Sequence, residues 1–334
     1  MTGGIPMQQS NGSRPRPIPR VTVIGAGNVG SVVAKHLLDA HLADVVLVDV
    51  VEGRPQGIAL DLSESGALVG YTRSILGTND YDDTADSDLI VVTAGLPRKP
   101  GMSRDDLTQV NGRIVMQTVR AAIARSPDAI LIVVTNPLDV MTELAWRVSG
   151  LPCDRVMGMA GVLDTARFRS FVAQELRVPV ADVSALVLGG HGDLMVPLPN
   201  FATVGGVPLL HLMPEAVVQR LVARTRNGGA EVVELLKTGG AYYAPGAAVF
   251  QMVAAILQDQ HRILPVSAYL RGEYDLKGLY LGVPCRLGKG GIEQVIEVGL
   301  TAAQRSALHQ SAAAVRATRD RAMDALLHKP PLPV

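Results

Sequence analysis

The chain has 334 residues, nearly half of them apolar, which is enough for two domains with buried cores. Lysine and arginine together number 31, as do aspartate and glutamate, so no excess charge attracts nucleic acid or an anionic membrane surface. No apolar run approaches the roughly 20 residues that span a bilayer, so neither nucleic acid nor a membrane is predicted as a partner.

Residues 1–19 are rich in glycine, proline, serine and arginine, and they lack the apolar stretch of a secretory signal. Arginine without any acidic residue is typical of a transit peptide, but Pro15, Pro17 and Pro19 oppose the amphipathic helix that such a peptide forms. We therefore expect a disordered tail.

The two cysteines, Cys153 and Cys285, belong to no CxxC pair and to no cysteine and histidine spacing that is typical of metal ligands. We therefore expect reduced thiols, no metal and a cytoplasmic location.

From Arg20 onward, apolar and β-branched segments alternate with helical patterns. Helices are predicted from Gly30 to about Ala40 and over 54–69, and helical patterns lie between the later strands. Continuous apolar strands that alternate with helices indicate a parallel sheet covered on both faces. We therefore predict a doubly wound α/β domain over 20–160, with strands at 21–24, 45–49, 72–76, 89–93 and 130–135.

Beyond residue 160 the pattern changes, and an α+β domain is predicted over 161–334, which we expect to pack tightly against the first domain. Strand signals occur at 183–188, at 203–208 as a hairpin around Gly205-Gly206, and within 263–298 as an antiparallel pair. Helices are predicted at 163–176, 214–237, 246–258 and 301–327. One face of the last helix carries Leu308, Ala312, Val315, Ala322 and Leu326.

The segment Gly25-Ala26-Gly27-Asn28-Val29-Gly30 follows the first strand directly and opens a helix, which is the context of a dinucleotide-binding turn. Gly25 permits the tight turn, Gly27 lets a pyrophosphate approach the backbone, and Gly30 lets the helix pack close to the strand. The helix N-terminus offers free N–H groups and a partial positive charge to the phosphates.

Asp49 ends the next strand, 19 residues after Gly30. Its carboxylate can accept hydrogen bonds from ribose hydroxyls and would repel a 2′-phosphate, which favours NAD over NADP. The alternative is a glycine turn without a ligand and a solvated Asp49.

Two further polar segments follow strands of the first domain. Arg98, Lys99 and Arg104 lie in a loop with two prolines and a glycine, which predicts either an anion site or a solvated basic loop. Asn136 follows the strand at 130–135, where it either hydrogen-bonds a substrate oxygen or caps the next helix.

The second domain carries a histidine between glycines, His191, at the end of a strand. Imidazole has the ordinary pKa that suits proton transfer near neutrality, but a lone histidine is more often structural. Asp164 is the candidate carboxylate to orient it. Asp164 and Arg167 lie three residues apart on a predicted helix, where they form either part of a site or a surface ion pair.

These segments resemble the lactate/malate dehydrogenase superfamily over about 20–319, and within it the lactate-dehydrogenase-like branch of bacterial malate dehydrogenases. The most specific match is Pro97-Arg98-Lys99-Pro100-Gly101-Met102-Ser103-Arg104. The matching segments occur in the family's order, at 25–30 with Asp49, 94–104, 134–139, 161–167 and 189–193.

The resemblance implies an NAD-dependent 2-hydroxy-acid dehydrogenase with a Rossmann NAD-binding domain. His191 would transfer the proton and Asp164 would orient the imidazole. Arg167 would hold the C1 carboxylate of the substrate with its guanidinium fork. Arg104 would polarise the reacting carbonyl from a mobile lid, and Asn136 would also contact the substrate.

The resemblance also implies the residues that contact the cofactor. They are Gly25, Ala26, Gly27, Asn28, Val29, Gly30 and Asp49 at the first turn, Thr93 and Gly95 in the cofactor cleft, Asn111 at an unspecified part of NAD, and Val134, Thr135 and Asn136 at the nicotinamide pocket. A homotetramer, or else a homodimer, is implied as well.

Arg98 would face the distal carboxylate of a dicarboxylate, whereas lactate dehydrogenases of the family carry glutamine at this place, above a methyl group. A buried cation facing a methyl group would be unpaired and costly. The resemblance therefore favours malate and oxaloacetate, a pair of the tricarboxylic acid cycle. The alternatives are lactate or another 2-hydroxy acid, and a non-catalytic NAD-binding protein. Gly246, in the opposite wall at 242–247, leaves the pocket size open.

Overall fold

The computed structural model describes residues 18–97 and 102–327. The predicted tail at 1–19 therefore lies almost wholly outside the described residues, as do Arg98 and Lys99. The helices are α1 (Asn28–Asp39), α2 (Arg54–Val69), α3 (Arg104–Ile123), α4 (Leu138–Ser149), α5 (Gly161–Leu176), α6 (Leu209–Leu212), α7 (Glu215–Leu236), α8 (Tyr243–Leu257) and α9 (Ala302–Leu327). None of the helices in these two ranges is long and apolar enough to cross a membrane.

The strands form one large sheet and two small ones. They are β1 (Arg20–Ile24), β2 (Asp44–Val48), β3 (Ile75–Thr78), β4 (Leu89–Val92), β5 (Ile130–Val133), β6 (Val156–Gly158), β7 (Val183–Ser184), β8 (Val187–Leu188), β9 (Val196–Pro197), β10 (Thr203–Val204), β11 (Val207–Pro208), β12 (Arg262–Arg271), β13 (Lys277–Gly288) and β14 (Gly291–Val295).

The first half of the chain is a doubly wound parallel sheet, as predicted. Its strand order is β3-β2-β1-β4-β5-β6, and all neighbouring pairs are parallel. Both faces are covered, since Leu89 and Val91 of β4 belong to one core cluster and Ile90 and Val92 to another. The order reverses between β1 and β4, so a crevice opens beyond the carboxyl ends of these two strands.

The second half is α+β, also as predicted, but its main strands continue the first sheet. β12, β13 and β14 form an antiparallel ribbon whose inner strand joins β6 through Ser267 and Gly158. The expected antiparallel pair is thus three strands on a sheet of nine. The predicted hairpin is confirmed as β10 and β11, with positive φ at Gly205 and Gly206.

Two strand predictions were wrong in detail. The strand expected at 183–188 is broken into β7 and β8, because β7 pairs with β10 and β8 pairs with β9 in separate sheets. The strand expected at 72–76 begins only at Ile75 and continues through Gly77, where a Cβ would lie 2.1 Å from the carbonyl oxygen of Pro55. The short strand β6 was not predicted.

Candidate active site

The glycines of the turn between β1 and α1 differ in the space around them. Gly25 has φ +106°, and a Cβ there would lie 2.7 Å from Thr93 Oγ1. A Cβ on Gly30 would lie 1.9 Å from the carbonyl oxygen of Gly25. These two glycines are therefore required by the turn and by helix packing. A Cβ on Gly27 would meet nothing within 4 Å, so this position borders open space.

The N-terminus of α1 faces that open space with no local acceptor. Its N-cap residue is Gly27, no side chain caps it, and the first turn has no acidic residue. The first backbone N–H groups of the helix, with the positive end of its dipole, are suited to a phosphate anion. The donor chemistry of this turn fits the pyrophosphate of a dinucleotide.

Asp49 directly follows β2 and is half-buried. Its Oδ2 accepts the N–H of Ala26 at 2.7 Å and its Oδ1 accepts the N–H of Val51 at 2.9 Å. The carboxylate therefore ties the glycine turn to the neighbouring strand end. Ala26 is fully buried and gives its N–H to Asp49, so it shapes the turn from behind.

A cleft of about 800 Å³ runs from the glycine turn to His191. It brings together most of the predicted cofactor residues, along with Arg167 and His191 from the second half of the chain. The predicted residues that line it are Gly27, Asn28, Val29, Gly30, Thr93, Gly95, Asn111, Val134, Thr135, Asn136, Arg167 and His191.

Three side chains along this cleft brace the ends of the strands. Thr93 Oγ1 donates to the carbonyl oxygen of Ile24 or of Gly25, each at 3.0 Å. Thr135 Oγ1 donates to the carbonyl oxygen of Ala94 at 2.7 Å. The buried amide of Asn111 accepts the N–H of Leu96 and donates to the carbonyl oxygens of Leu96 and Asn136. These bonds hold the cleft wall in place.

His191, Asp164 and Arg167 form one cluster around the buried carboxylate of Asp164. His191 Nδ1 lies 2.9 Å from Asp164 Oδ2, and Arg167 Nη1 donates to Asp164 Oδ1 at 3.1 Å. Asp164 and Arg167 lie in the first two turns of α5, and the side chain of Asp164 is only 2% exposed. The surface ion pair considered from the sequence is therefore not what forms.

The surroundings of His191 favour its charged form. Burial by itself lowers the pKa of His191, but the charge of Asp164 and the hydrogen bond to it raise that pKa, and the net direction is upward. Arg167 lowers the pKa of His191 and Asp139 raises it. An ionised Asp164 can only accept, which assigns the Nδ1 proton to the His191 ring and leaves Nε2 as the exchangeable position.

Asn136 and Arg104 flank the imidazole. Asn136 follows β5 and is exposed, and it does not cap α4, whose N-cap is Pro137 without a side-chain hydrogen bond. Arg104 begins α3 after a capping box of Ser103 and Asp106. Both residues line, with His191, a second cavity of about 400 Å³.

Arg104 is 82% exposed and its Nη2 lies 3.6 Å from Asp193 Oδ2 in the His191 loop. This exposed contact is weak. The predicted lid role of Arg104 and the distal-carboxylate role of Arg98 stay predictions, the latter because Arg98 lies outside the described residues.

Sequence reasoning missed a pair of glycines that give Arg167 its space. A Cβ on Gly228 of α7 would lie 3.0 Å from Arg167 Cδ, and one on Gly229 would lie 3.5 Å from Arg167 Nη2. Two adjacent glycines inside a predicted helix are costly, so their presence was a usable signal. It also missed Asp139, which accepts the backbone N–H of His191.

Comparison with known proteins agrees over both halves of the chain. A family model for the lactate/malate dehydrogenase NAD binding domain matches residues 19–158. A second model, for the lactate/malate dehydrogenase alpha/beta C-terminal domain, matches residues 161–325. A malate dehydrogenase of Nostoc punctiforme is 57% identical over 312 residues, which are 93% of this chain and 95% of the relative.

Solved structures agree as well. Malate dehydrogenase from Salinibacter ruber matches with a TM-score of 0.87 and 51% identity, over 90% of this chain and 97% of that one. Lactate dehydrogenase from Cryptosporidium parvum, solved with lactic acid and nicotinamide adenine dinucleotide, matches with a TM-score of 0.88 and 41% identity, over 94% and 99%. Because the two models of the lactate/malate dehydrogenase family match both halves of the chain, the chain belongs to this family.

Proposed function

We propose that this chain is an NAD-dependent malate dehydrogenase that interconverts malate and oxaloacetate. The observation that carries the proposal is the cluster of His191, Asp164 and Arg167, whose His191 and Arg167 line the same cleft as the glycine turn. That cleft therefore offers a dinucleotide site, a proton-transfer group and a carboxylate-binding cation side by side. The malate dehydrogenases named above support the substrate.

The cofactor site fits NAD. The glycine turn and the N-terminus of α1 would hold the pyrophosphate, Asp49 the adenosine ribose, and the wall around Thr93, Gly95 and 134–136 the nicotinamide. When bound, NAD accepts a hydride from the hydroxyl-bearing carbon, and NADH supplies one in the reverse direction.

The protein's own groups supply binding and proton transfer. Arg167 would hold the substrate's C1 carboxylate through a bidentate fork, and Asn136 would hydrogen-bond the substrate. Neutral His191 would accept the hydroxyl proton at Nε2 during malate oxidation, and protonated His191 would return it during oxaloacetate reduction. Asp164 holds the ring through Nδ1 and stabilises its cation. We further propose that Arg104 polarises the carbonyl and that Arg98 meets the distal carboxylate.

The substrate proposal predicts the outcome of a paired assay. Oxaloacetate should exceed pyruvate in kcat/KM by at least ~100-fold with NADH, because Arg98 would be left unpaired above the methyl group of pyruvate. NADH should also be preferred to NADPH, because the Asp49 carboxylate would repel a 2′-phosphate. NADH oxidation followed at 340 nm measures both ratios. A clear preference for pyruvate would overturn the malate proposal and favour a lactate dehydrogenase.

Two alanine variants separate cofactor approach from folding at the glycine turn. Gly27→Ala should weaken NAD binding by roughly tenfold or more while costing less than about 1 kcal/mol of unfolding free energy, because its Cβ meets only open space where the pyrophosphate would lie. Gly30→Ala should lower the unfolding free energy by roughly 1–3 kcal/mol, because its Cβ overlaps the Gly25 carbonyl. Calorimetric NAD titration and denaturant unfolding distinguish them. Unchanged NAD affinity in Gly27→Ala would exclude the proposed pyrophosphate position.

We also propose that the protein acts in the tricarboxylic acid cycle and lies in the cytoplasm. We propose that residues 20–160 form the NAD-binding domain and residues 161–334 the substrate domain. Finally, we propose that the chain assembles as a homotetramer or a homodimer. Exposed apolar side chains support assembly, since Leu60 and Leu68 of α2 and Leu235 of α7 are each at least half exposed. Light scattering coupled to size-exclusion chromatography measures the oligomeric state.

A further inference from the structure

The loop that carries His191 is fixed by hydrogen bonds from three successive backbone N–H groups. Gly189 donates to the carbonyl oxygen of Gly282 in β13 at 2.8 Å. Gly190 donates to Ser311 Oγ in α9 at 2.9 Å. His191 donates to Asp139 Oδ2 in α4 at 3.0 Å. Three separate elements therefore set the position of the peptide that carries the imidazole.

Close packing leaves this loop little freedom. A Cβ on Gly190 would lie 2.7 Å from Val315 Cγ2 and 3.2 Å from Asp139 Oδ2. A Cβ on Gly189 would lie 3.0 Å from Ser311 Oγ. The glycines thus allow α4 and α9 to approach the backbone beside His191 directly.

Asp139 differs from the other two anchors because it carries a charge. Its side chain is 5% exposed, and its second oxygen, Oδ1, accepts the hydroxyl of Ser267 in β12 at 2.6 Å. Burial raises the pKa of Asp139, the hydrogen bonds from Ser267 and from the His191 N–H and the charge of His191 lower it, the charge of Asp164 raises it, and the net direction is upward. Both bonds stabilise the ionised carboxylate.

With Asp139 ionised, the charges around His191 balance only when the imidazole is protonated. Asp164 and Arg167 face it from α5 and Asp139 from α4, while Arg104 of α3 and Asp193 of the loop are solvated. Two buried carboxylates and one guanidinium leave a net negative charge, which a protonated His191 cancels. Since uncompensated buried charge is costly, this arrangement stabilises the imidazolium.

We propose that Asp139 is a positioning residue for proton transfer, which holds the His191 backbone in place and stabilises the protonated imidazole with a second buried carboxylate. This role rests on the proposed function of His191. Within residues 18–97 and 102–327, Asp139 makes no hydrogen bond to the cofactor turn or to Arg167. It therefore acts through His191.

The decisive variant is Asp139→Asn, because asparagine keeps an oxygen for the His191 N–H and loses the charge. The imidazole of His191 should titrate at lower pH in this variant, consistent with the raising effect of Asp139 on the pKa of His191. Oxaloacetate reduction at neutral pH should fall by about tenfold in kcat, because a smaller fraction of His191 is then protonated to give its proton to the substrate. The KM for NADH should stay unchanged.

The matched control is Ser311→Ala, which removes the neighbouring anchor at Gly190 and no charge. Its His191 titration midpoint should equal that of the unmodified protein. The midpoint is read by NMR on the protein without cofactor, using the histidine signal that His191→Gln removes. This readout needs no turnover, so it tests Asp139 even if the malate assay fails.

A lower midpoint in Asp139→Asn alone supports the proposal. Equal midpoints in all three proteins, or equal shifts in both variants, overturn it. Should Asp139→Asn fail to fold, Ser267→Ala replaces it. That change removes a bond that lowers the pKa of Asp139, so less of the carboxylate is ionised and the His191 midpoint should again move to lower pH. An unmoved midpoint in Ser267→Ala would then overturn the proposal.

Discussion

Replacing His191 with alanine is expected to lower turnover in both directions by at least ~100-fold, the scale of general acid–base effects. The variant loses the Nε2 atom that exchanges a proton with the substrate oxygen, and no other histidine lines the cleft among the described residues. NAD binding should be retained, because the glycine turn and the N-terminus of α1 are built without His191. Steady-state kinetics and a calorimetric NAD titration measure the two expectations.

The control for this change is His211→Ala. His211 is an exposed residue of the short helix α6, so its removal should leave turnover and NAD affinity unchanged. Near-normal turnover in His191→Ala would contradict the proton-transfer role of His191 and assign proton transfer to another group.

The fold of the first half followed from its pattern because the physical signal is local. The parallel strands are buried on both faces, so each reads as an unbroken apolar run that composition reveals directly. Their predicted ends are within two residues of the observed ones for β1, β2, β4 and β5. β3 begins later than predicted because the backbone N–H of Ser74 donates to the side-chain carboxylate of Asp44. The pairing of β3 with β2 starts only at the next residue.

The second half was harder because its pairing is not local. The sequence over 183–188 reads as one apolar strand, yet its two ends join different sheets. Joining β12 to β6 depends on a single pair, Ser267 and Gly158, more than 100 residues apart in the chain. The hydrophobic periodicity of a strand does not indicate which distant strand it pairs with. The same pair brings Ser267 beside Asp139 and therefore into reach of the His191 loop.

The candidate active site was likewise predictable where its residues are close in the chain and not where they are far apart. Asp164 and Arg167 were visible as neighbours on one helix face, and His191 as a histidine between glycines at a strand end. The sequence did not reveal that Asp164 is buried and pairs with a half-buried His191 and a half-buried Arg167, which decides between a surface ion pair and a proton-transfer site. Asp139 went unnoticed because its partners, His191 and Ser267, lie 52 and 128 residues away.

Replacing Arg167 with lysine is expected to lower kcat/KM for oxaloacetate by roughly 100- to 1000-fold, mostly through a higher KM. Lysine keeps the charge but offers a single ammonium in place of the planar fork that pairs with a carboxylate. Gly228 and Gly229 leave a space beside α7 that the guanidinium fills, and a lysine would leave part of it empty. The NADH dissociation constant should not change, since the glycine turn lies at the other end of the cleft.

Arg220→Lys is the matched control for this change. Arg220 lies on the surface of α7, 2.7 Å from Glu175 and 62% exposed, and such exposed pairs contribute little. Its kinetics should match those of the unmodified protein. Because the charge of Arg167 also lowers the pKa of His191, and lysine keeps that charge, the pH profile of Arg167→Lys should stay close to the original while its KM rises. A profile that moves with an unchanged KM would mean that Arg167 serves the imidazole rather than the substrate carboxylate.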